Sequence, residues 1–203
     1  MNSFTELAKR TAATAWTVRL LLSLCLLLSF RATRTCAQTI QVPEYQLKAA
    51  FIYNFAKFIT WPSNSFARAD APIVLAVLGD DPFGATLPQT LAGKSVNGRP
   101  IEIIHFQRPE MVTNCHILFV ARSETDRLVP ALKTVAGRSV LTIGDFDRFA
   151  HRGGMINLFL ESKAIRFEIN ANATERGGFK VSPKLGGLGK IVRGDVVEPG
   201  GTP

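Results

Sequence analysis

The chain has 203 residues, with 24 Lys+Arg against 16 Asp+Glu and three cysteines. Five of the basic residues and one acidic residue lie in the first 37, so the other 166 carry 19 against 15, and half of the formal charge of +8 belongs to the N-terminus. That near-balanced remainder, without a dense basic run, argues against nucleic acid as a partner, and its single cysteine excludes an intramolecular disulfide.

Lys9, Arg10 and Arg19 precede an apolar run from Leu20 to Phe30, and Thr35-Cys36-Ala37 offers the small residues a signal peptidase reads. The pattern is that of a secretory signal peptide over residues 1–37, cleaved after Ala37; the apolar run is too short for a comfortable membrane span. Neither Cys25 nor Cys36 has the preceding residues of a lipoprotein site. The mature chain is long enough for one domain with a real core, expected over residues 38–192.

The first element is a helix between Pro43 and Trp61, with Leu47, Phe51, Phe55 and Phe58 recurring at helical spacing as a core-facing stripe. After a loop, Ile73 to Leu78 reads as a strand, Gly79-Asp80-Asp81-Pro82-Phe83-Gly84 as a turn, and the next stretch as a helix reaching Leu91. Lys94 to Pro100 is a turn leading into a strand at Ile101–Ile104. A third strand runs from Cys115 to Val120, where the thiol is expected to be buried and inert. A helix comes next over Glu124–Val135, then a fourth strand over Ser139–Ile143.

Gly153-Gly154 leads into a β-hairpin. Its first arm, Met155 to Leu160, is apolar, as in a strand covered on both faces. Its second arm alternates, with Ile165, Phe167 and Ile169 on one face and Arg166, Glu168 and Asn170 on the other. As the last strand of a sheet, that polar face meets either water or a partner. Ala171 to Val192 reads as a terminal helix interrupted at Pro183 and Gly186-Gly187, and residues 193–203 as a disordered tail. Strands separated by helices imply an α/β fold of three layers, a mostly parallel sheet flanked by helices with a C-terminal antiparallel hairpin.

The catalytic motifs fail. Gly93-Lys94-Ser95 lacks the first glycine of a phosphate loop, because Pro88 occupies that place. Gly187-Leu188-Gly189 has no strand–helix–strand unit after it, and there is no Gly-x-Ser-x-Gly nucleophile elbow. His105, His116 and His151 lack metal-ligand spacing; His116 reads as a hydrogen-bonded core or edge histidine. Asp80-Asp81 and Asp145/Asp147 come after strands, where such carboxylates cap helices or face a ligand crevice. No catalytic residue, metal or cofactor is expected, and the protein is read as a non-enzyme.

One resemblance covers nearly all of the expected domain. Lys48-Ala49-Ala50-Phe51-Ile52-Tyr53-Asn54-Phe55-Ala56-Lys57-Phe58 with Trp61-Pro62, Gly79-Asp80-Asp81-Pro82-Phe83, Cys115-His116-Ile117-Leu118, Gly153-Gly154-Met155-Ile156-Asn157, Arg166-Phe167-Glu168-Ile169-Asn170 and Ser182-Pro183-Lys184-Leu185 occur in order. Together they resemble the YfiR family over roughly residues 45 to 192. The resemblance implies a periplasmic α/β protein without known catalysis. It implies repression, by protein contact, of a diguanylate cyclase in the inner membrane through that enzyme's periplasmic domain. It further implies relief by an outer-membrane lipoprotein and a homodimeric state. It places partner or ligand contacts at Arg166, Glu168, Lys180 and Ser182. Ala150 and Asn157 stand where some relatives have a cystine. A second reading is a periplasmic sensor that binds a small molecule in the strand-end crevice near Asp80, Asp81 and Asp145.

Overall fold

The computed structural model describes residues 43–198, so the expected signal peptide over residues 1–37 lies outside the described residues. The first element, α1 (Glu44–Phe58), carries Glu44 in its first turn and Lys57 in its last, a charge order that suits the helix dipole. It stops where β-branched Ile59 and Thr60 turn extended as β1 (Ile59–Thr60), shortly before Pro62. The buried face is Lys48, Ala49, Ile52, Phe55 and Ala56. The expected stripe is thus rotated: Leu47, Phe51 and Phe58 flank the core half-buried, because small Ala49 and Ala56 let the helix lie close on the sheet.

Next in the chain are β2 (Ile73–Leu78), α2 (Thr86–Leu91), β3 (Ser95–Val96), β4 (Arg99–Phe106) and β5 (Ile117–Val120). The helix expected over Glu124–Val135 is a 3₁₀ segment, Arg122–Arg127, continued by α3 (Leu128–Val135). After it come β6 (Leu141–Gly144), β7 (Ile156–Glu161) and β8 (Ala164–Asn170), the last two forming the hairpin. The single interrupted helix expected after the hairpin is instead α4 (Ala171–Arg176), β9 (Lys180–Val181), α5 (Pro183–Gly186) and β10 (Lys190–Val192). Gly177-Gly178 and Gly186-Gly187-Leu188-Gly189 break the helical pattern too often for it to persist.

The main sheet has the order β10-β8-β7-β6-β5-β2-β4-β3. Its centre, β4-β2-β5-β6-β7, is parallel, and β7-β8 is antiparallel. The expected α/β architecture with a C-terminal hairpin is therefore present. Strand alternation sorts the core into two faces. Leu75, Val77, Phe119, Ile143, Leu158 and Phe167 meet α1 and α2, while Leu78, Leu118, Val120, Phe146 and Phe149 meet α3.

Two features depart from the sequence reading. β8 is not the last strand, because β10 pairs with its second half in parallel, Lys190 opposite Glu168 and Val192 opposite Asn170. Residues 193–198, expected within the tail, are held in place by Asn170. Its Nδ2 donates to the carbonyls of Ala150 (2.8 Å) and Asp195 (2.9 Å), and its Oδ1 accepts from the N–H groups of Ala173 (3.3 Å) and Gly194 (3.1 Å). All four hydrogen-bonding positions of a buried amide are thereby used.

The 61–72 loop is pinned through His116. Its ring stacks on Phe66 at 4.5 Å, its Nδ1 accepts from the Val74 N–H at 3.0 Å, and Arg99 lies 3.9 Å over Phe66. Burial lowers the His116 pKa below its ordinary 6.5, so the folded state holds the ring neutral. Cys115 is buried as expected, and burial pushes its thiol up to about 11, which leaves it a poor nucleophile.

The close approach foreseen at Gly153-Gly154 comes from the protein's own Phe149, fully buried against Gly144 and Gly154. A Cβ at Gly154 would overlap the Phe149 ring. Gly154→Ala should lower unfolding free energy by about 1–3 kcal/mol, the usual overpacking range, read from urea denaturation. His116 generates a second expectation. A folded pKa depressed below the unfolded one stabilises above pH 6.5, and that contribution is lost as pH falls below 6.5 towards the folded value. Between pH 7.5 and 5.5, as chosen test conditions at roughly one unit either side of the histidine pKa, the wild type should lose more thermal stability than His116→Asn.

Candidate functional site

β6 ends in Gly144, and the next residue, Asp145, sits at the mouth of the parallel strands with its side chain fully buried. Lys48 reaches it from the buried face of α1, donating from Nζ to Asp145 Oδ2 at 2.7 Å. Glu44, one turn earlier, takes the other side of the ammonium at 2.5 Å. The Tyr45 hydroxyl donates to the same Asp145 oxygen at 2.9 Å. Burial, reinforced by the charge and the hydrogen bond of Asp145, pushes the Tyr45 pKa well above its usual value, so the phenol stays a donor. Arg122 closes the set by donating to the Asp145 carbonyl at 2.9 Å.

Beside this cluster β7 runs on past the end of β6, since Gly144 pairs with Asn157 and Leu158 to Glu161 continue beyond it. The overhang leaves a cleft of about 570 Å³, within the range of small-molecule sites, whose walls include Lys48, Asp145, His151, Asn157, Phe159 and Glu168. Two side-chain oxygens from its walls, Asp145 Oδ1 and Asn157 Oδ1, are buried and make no hydrogen bond. Buried acceptors are seldom left this way.

The crevice of an open α/β sheet is expected at the switch point, here between β2 and β5, since β2 pairs β4 on one side and β5 on the other. That position is filled. Gly79 adopts φ +89°, and a Cβ there would stand 2.8 Å from Glu124 Cγ. Ser123 Oγ accepts from the Asp80 N–H at 2.9 Å, and buried Glu124 is gripped by Arg127. Asp81 caps its turn by accepting from the Phe83 N–H at 2.8 Å. Of the four carboxylates foreseen after strands, Asp145 and Asp147 line the open cleft, which is displaced towards β6 and β7, and Asp80 and Asp81 do not.

The four residues of the expected contact site are not gathered together. Glu168 is buried, on the cleft side of β8, paired with Lys190 Nζ at 3.0 Å and near His151 at 3.6 Å. Arg166 is exposed, with Glu161 at 3.8 Å. Lys180 belongs to the short ribbon β1–β9, opposite Thr60. Ser182 caps α5, its Oγ accepting from the Leu185 N–H at 3.2 Å, and its own N–H bonds to Phe58 at the end of α1. Glu168 thus belongs to the cleft, and Lys180 and Ser182 to the end of α1.

Sequence reasoning missed Lys48, Tyr45 and Asn157. The first carried a signal: a lysine in register with Ala49, Ile52, Phe55 and Ala56 sits on the apolar side of the helix and requires a buried anion. Asn157 carried none, since a polar residue in an otherwise apolar strand does not announce what it faces. Among the described residues, no group of three His, Cys, Asp or Glu side chains is placed to hold a metal ion, and no helix is long and apolar enough to cross a membrane.

Removing one partner of a buried pair strands the other charge, at a typical cost of about 3–5 kcal/mol, whereas replacing both with apolar groups is often neutral. Lys48→Met should fall in that range by urea denaturation, and Lys48→Met/Asp145→Leu should recover much of the loss. Equal losses in the single and double variants would contradict the pairing. A family model described as YfiR/HmsC-like matches residues 45–190, which takes in Lys48, Asp145, Asn157 and all four expected contact residues. With that match extending over most of the chain and over every strand from β1 to β9, the protein belongs to the YfiR/HmsC-like family.

Proposed function

We propose that this protein is an exported periplasmic regulator that holds a membrane-bound diguanylate cyclase inactive by contact with that enzyme's periplasmic domain, and that an outer-membrane lipoprotein relieves the repression. The observation that carries this reading is the family match over residues 45–190. The use of the polar side chains is in keeping with it: Asp145, Glu124 and Glu168 are each tied to a cation, and Asp81 and Ser182 cap turns. The protein acts as a homodimer in this reading.

The charged face most available to a partner is the open half of the hairpin, where β10 no longer covers β8. Arg166 and Glu161 lie there with side chains 59% and 63% exposed, beside Leu160, an exposed large apolar residue. Exposed interfacial charges chiefly set specificity and association rate.

Deleting the gene should raise cellular cyclic di-GMP, and restoring it should return the level to normal. In capture from envelope extract, wild-type bait should retain a membrane diguanylate cyclase, and Arg166→Glu should retain several-fold less. An unchanged cyclic di-GMP level on deletion would overturn the regulatory reading. Undiminished capture by Arg166→Glu would remove the hairpin tip from the interface.

A further inference from the structure

We infer that the outer face of the helical layer formed by α1, α2 and α5 docks on an anionic phospholipid bilayer, with Lys57, Lys94 and Lys184 at the headgroup phosphates and Leu188 and Ile191 at the apolar boundary below them. This goes beyond the contact with a cyclase and does not depend on it.

The inference starts from a charge imbalance written into three separate parts of the chain. Residues 45–69, 82–101 and 176–194 contain no aspartate or glutamate. They supply α1 after its first residue, α2, β3, β9, α5 and β10. Leu87, Val96 and Leu185 from these elements all enter the core on the α1 side of the sheet, so folding gathers the carboxylate-free stretches into one layer. Glu44, at the start of α1, lies about 20 Å along the helix from Lys57 at 1.5 Å per residue, and it is bound to Lys48. That distance exceeds the roughly 8 Å over which exposed charges act at physiological ionic strength.

The lysines of this face rest on aromatic rings. Tyr53 leans from one flank of α1 towards β3, its hydroxyl donating to the Ser95 carbonyl at 3.1 Å. Lys57 and Lys94 place their ammoniums 5.5 and 5.3 Å from the centre of that ring. On the other flank, Lys184 stands 5.4 Å from the centre of Phe58. All three lysines are exposed, and none forms an ion pair with a described residue. Unopposed positive charges of this kind attract an anionic surface.

The neighbouring aliphatic side chains identify that surface as lipid. Leu188 is 68% exposed and Ile191 51%. The Leu188 N–H donates to the carbonyl of buried Leu185 in α5, and Gly189 lies against the Phe167 ring, which packs on Phe51 of α1. Ile191 pairs with Ile169, whose side chain enters the core on the α1 side. Both aliphatics therefore emerge beside α1 and Lys184. At a bilayer boundary, lysine stems and aliphatic side chains enter the apolar zone while the ammoniums stay with the phosphates. Lysine is a point charge that demands no fixed geometry from its partner, which suits a fluid headgroup layer; ordered carboxylates on a folded partner favour the arginine fork.

The test is sedimentation of the purified mature protein with vesicles. The protein should pellet with vesicles of equimolar phosphatidylglycerol and phosphatidylcholine and stay in solution with phosphatidylcholine alone. Raising sodium chloride from about 0.1 M to about 0.5 M should release most of it, because the screening length falls from about 10 Å to about 4 Å. Lys57→Gln/Lys94→Gln/Lys184→Gln should weaken binding roughly ten- to a hundredfold, at about fivefold per lysine beside an anionic surface, with the thermal transition still cooperative. Leu188→Ser should weaken it several-fold and leave the salt dependence intact. Arg108→Gln/Lys133→Gln/Lys163→Gln removes the same charge from the turn before Met111, from α3 and from the hairpin turn, and it should bind within about twofold of wild type, since exposed charges beyond a screening length contribute little. The inference is overturned if the anionic vesicles do not sediment the protein, if the lysine triple variant or Leu188→Ser binds unchanged, or if the second triple variant loses as much as the first. Binding to soluble polyglutamate through the same three lysines, with the vesicles ignored, would assign the face to an acidic polypeptide and overturn it likewise. Because no cyclase is present, failure here leaves the regulatory reading standing, and failure of capture leaves this surface standing.

Discussion

The interaction on which the layered structure depends is the ion pair of Lys48 with Asp145. It joins residues 97 apart in sequence, one on the first helix and one at the end of the fourth parallel strand. Hydrophobic burial alone would tolerate α1 at several rotations over the sheet, since Leu47, Phe51, Phe55 and Phe58 form an apolar stripe of their own. The pair selects one of them. A lysine with a 2% exposed side chain must find its carboxylate, and only the rotation that buries Ala49, Ile52 and Ala56 brings it there. Its contribution is better read as choosing a register than as adding stability, because the desolvation of both charges offsets much of the attraction.

Much of this architecture was legible in the sequence, and for a clear reason. The parallel strands are buried on both faces, so they read as unbroken apolar runs at Ile73–Leu78 and Ile117–Val120, and the hairpin announced itself through alternation. What failed to read was everything decided by one distant partner. Glu168 has the pattern of an exposed residue, yet β10 and Lys190 cover it. Asn170 looks like the polar end of a strand, yet it organises the segment after Val192. The tail looked loose because glycine and proline suppress local propensity, and local propensity is not what holds residues 193–198.

The candidate site was legible in part, by the same logic. Asp145 was visible as a carboxylate after a strand, the general position of ligand groups in α/β sheets. The cleft's location was not, because the switch point between β2 and β5 is plugged by Ser123 and Glu124 leaning on Gly79. A glycine whose absent side chain is filled by a neighbour from a distant 3₁₀ turn looks, in sequence, like any turn glycine. The cavity opens where β7 outlasts β6, a difference in strand length that only the pairing register reveals.

The loop between β6 and β7 shows how this fold closes without a covalent bond. Ala150 and Asn157 occupy the places that the family resemblance associates with a cystine in some relatives, and Cys115 lies elsewhere, two residues before β5. Here the loop is fastened by other means. Phe149 is wedged against Gly144 and Gly154, the Gly154 N–H donates to the Phe149 carbonyl at 3.0 Å, and Asn170 holds the Ala150 carbonyl from the neighbouring strand. These are packing and hydrogen-bond terms, insensitive to thiol chemistry. Position 157 carries an amide whose oxygen is buried and makes no hydrogen bond.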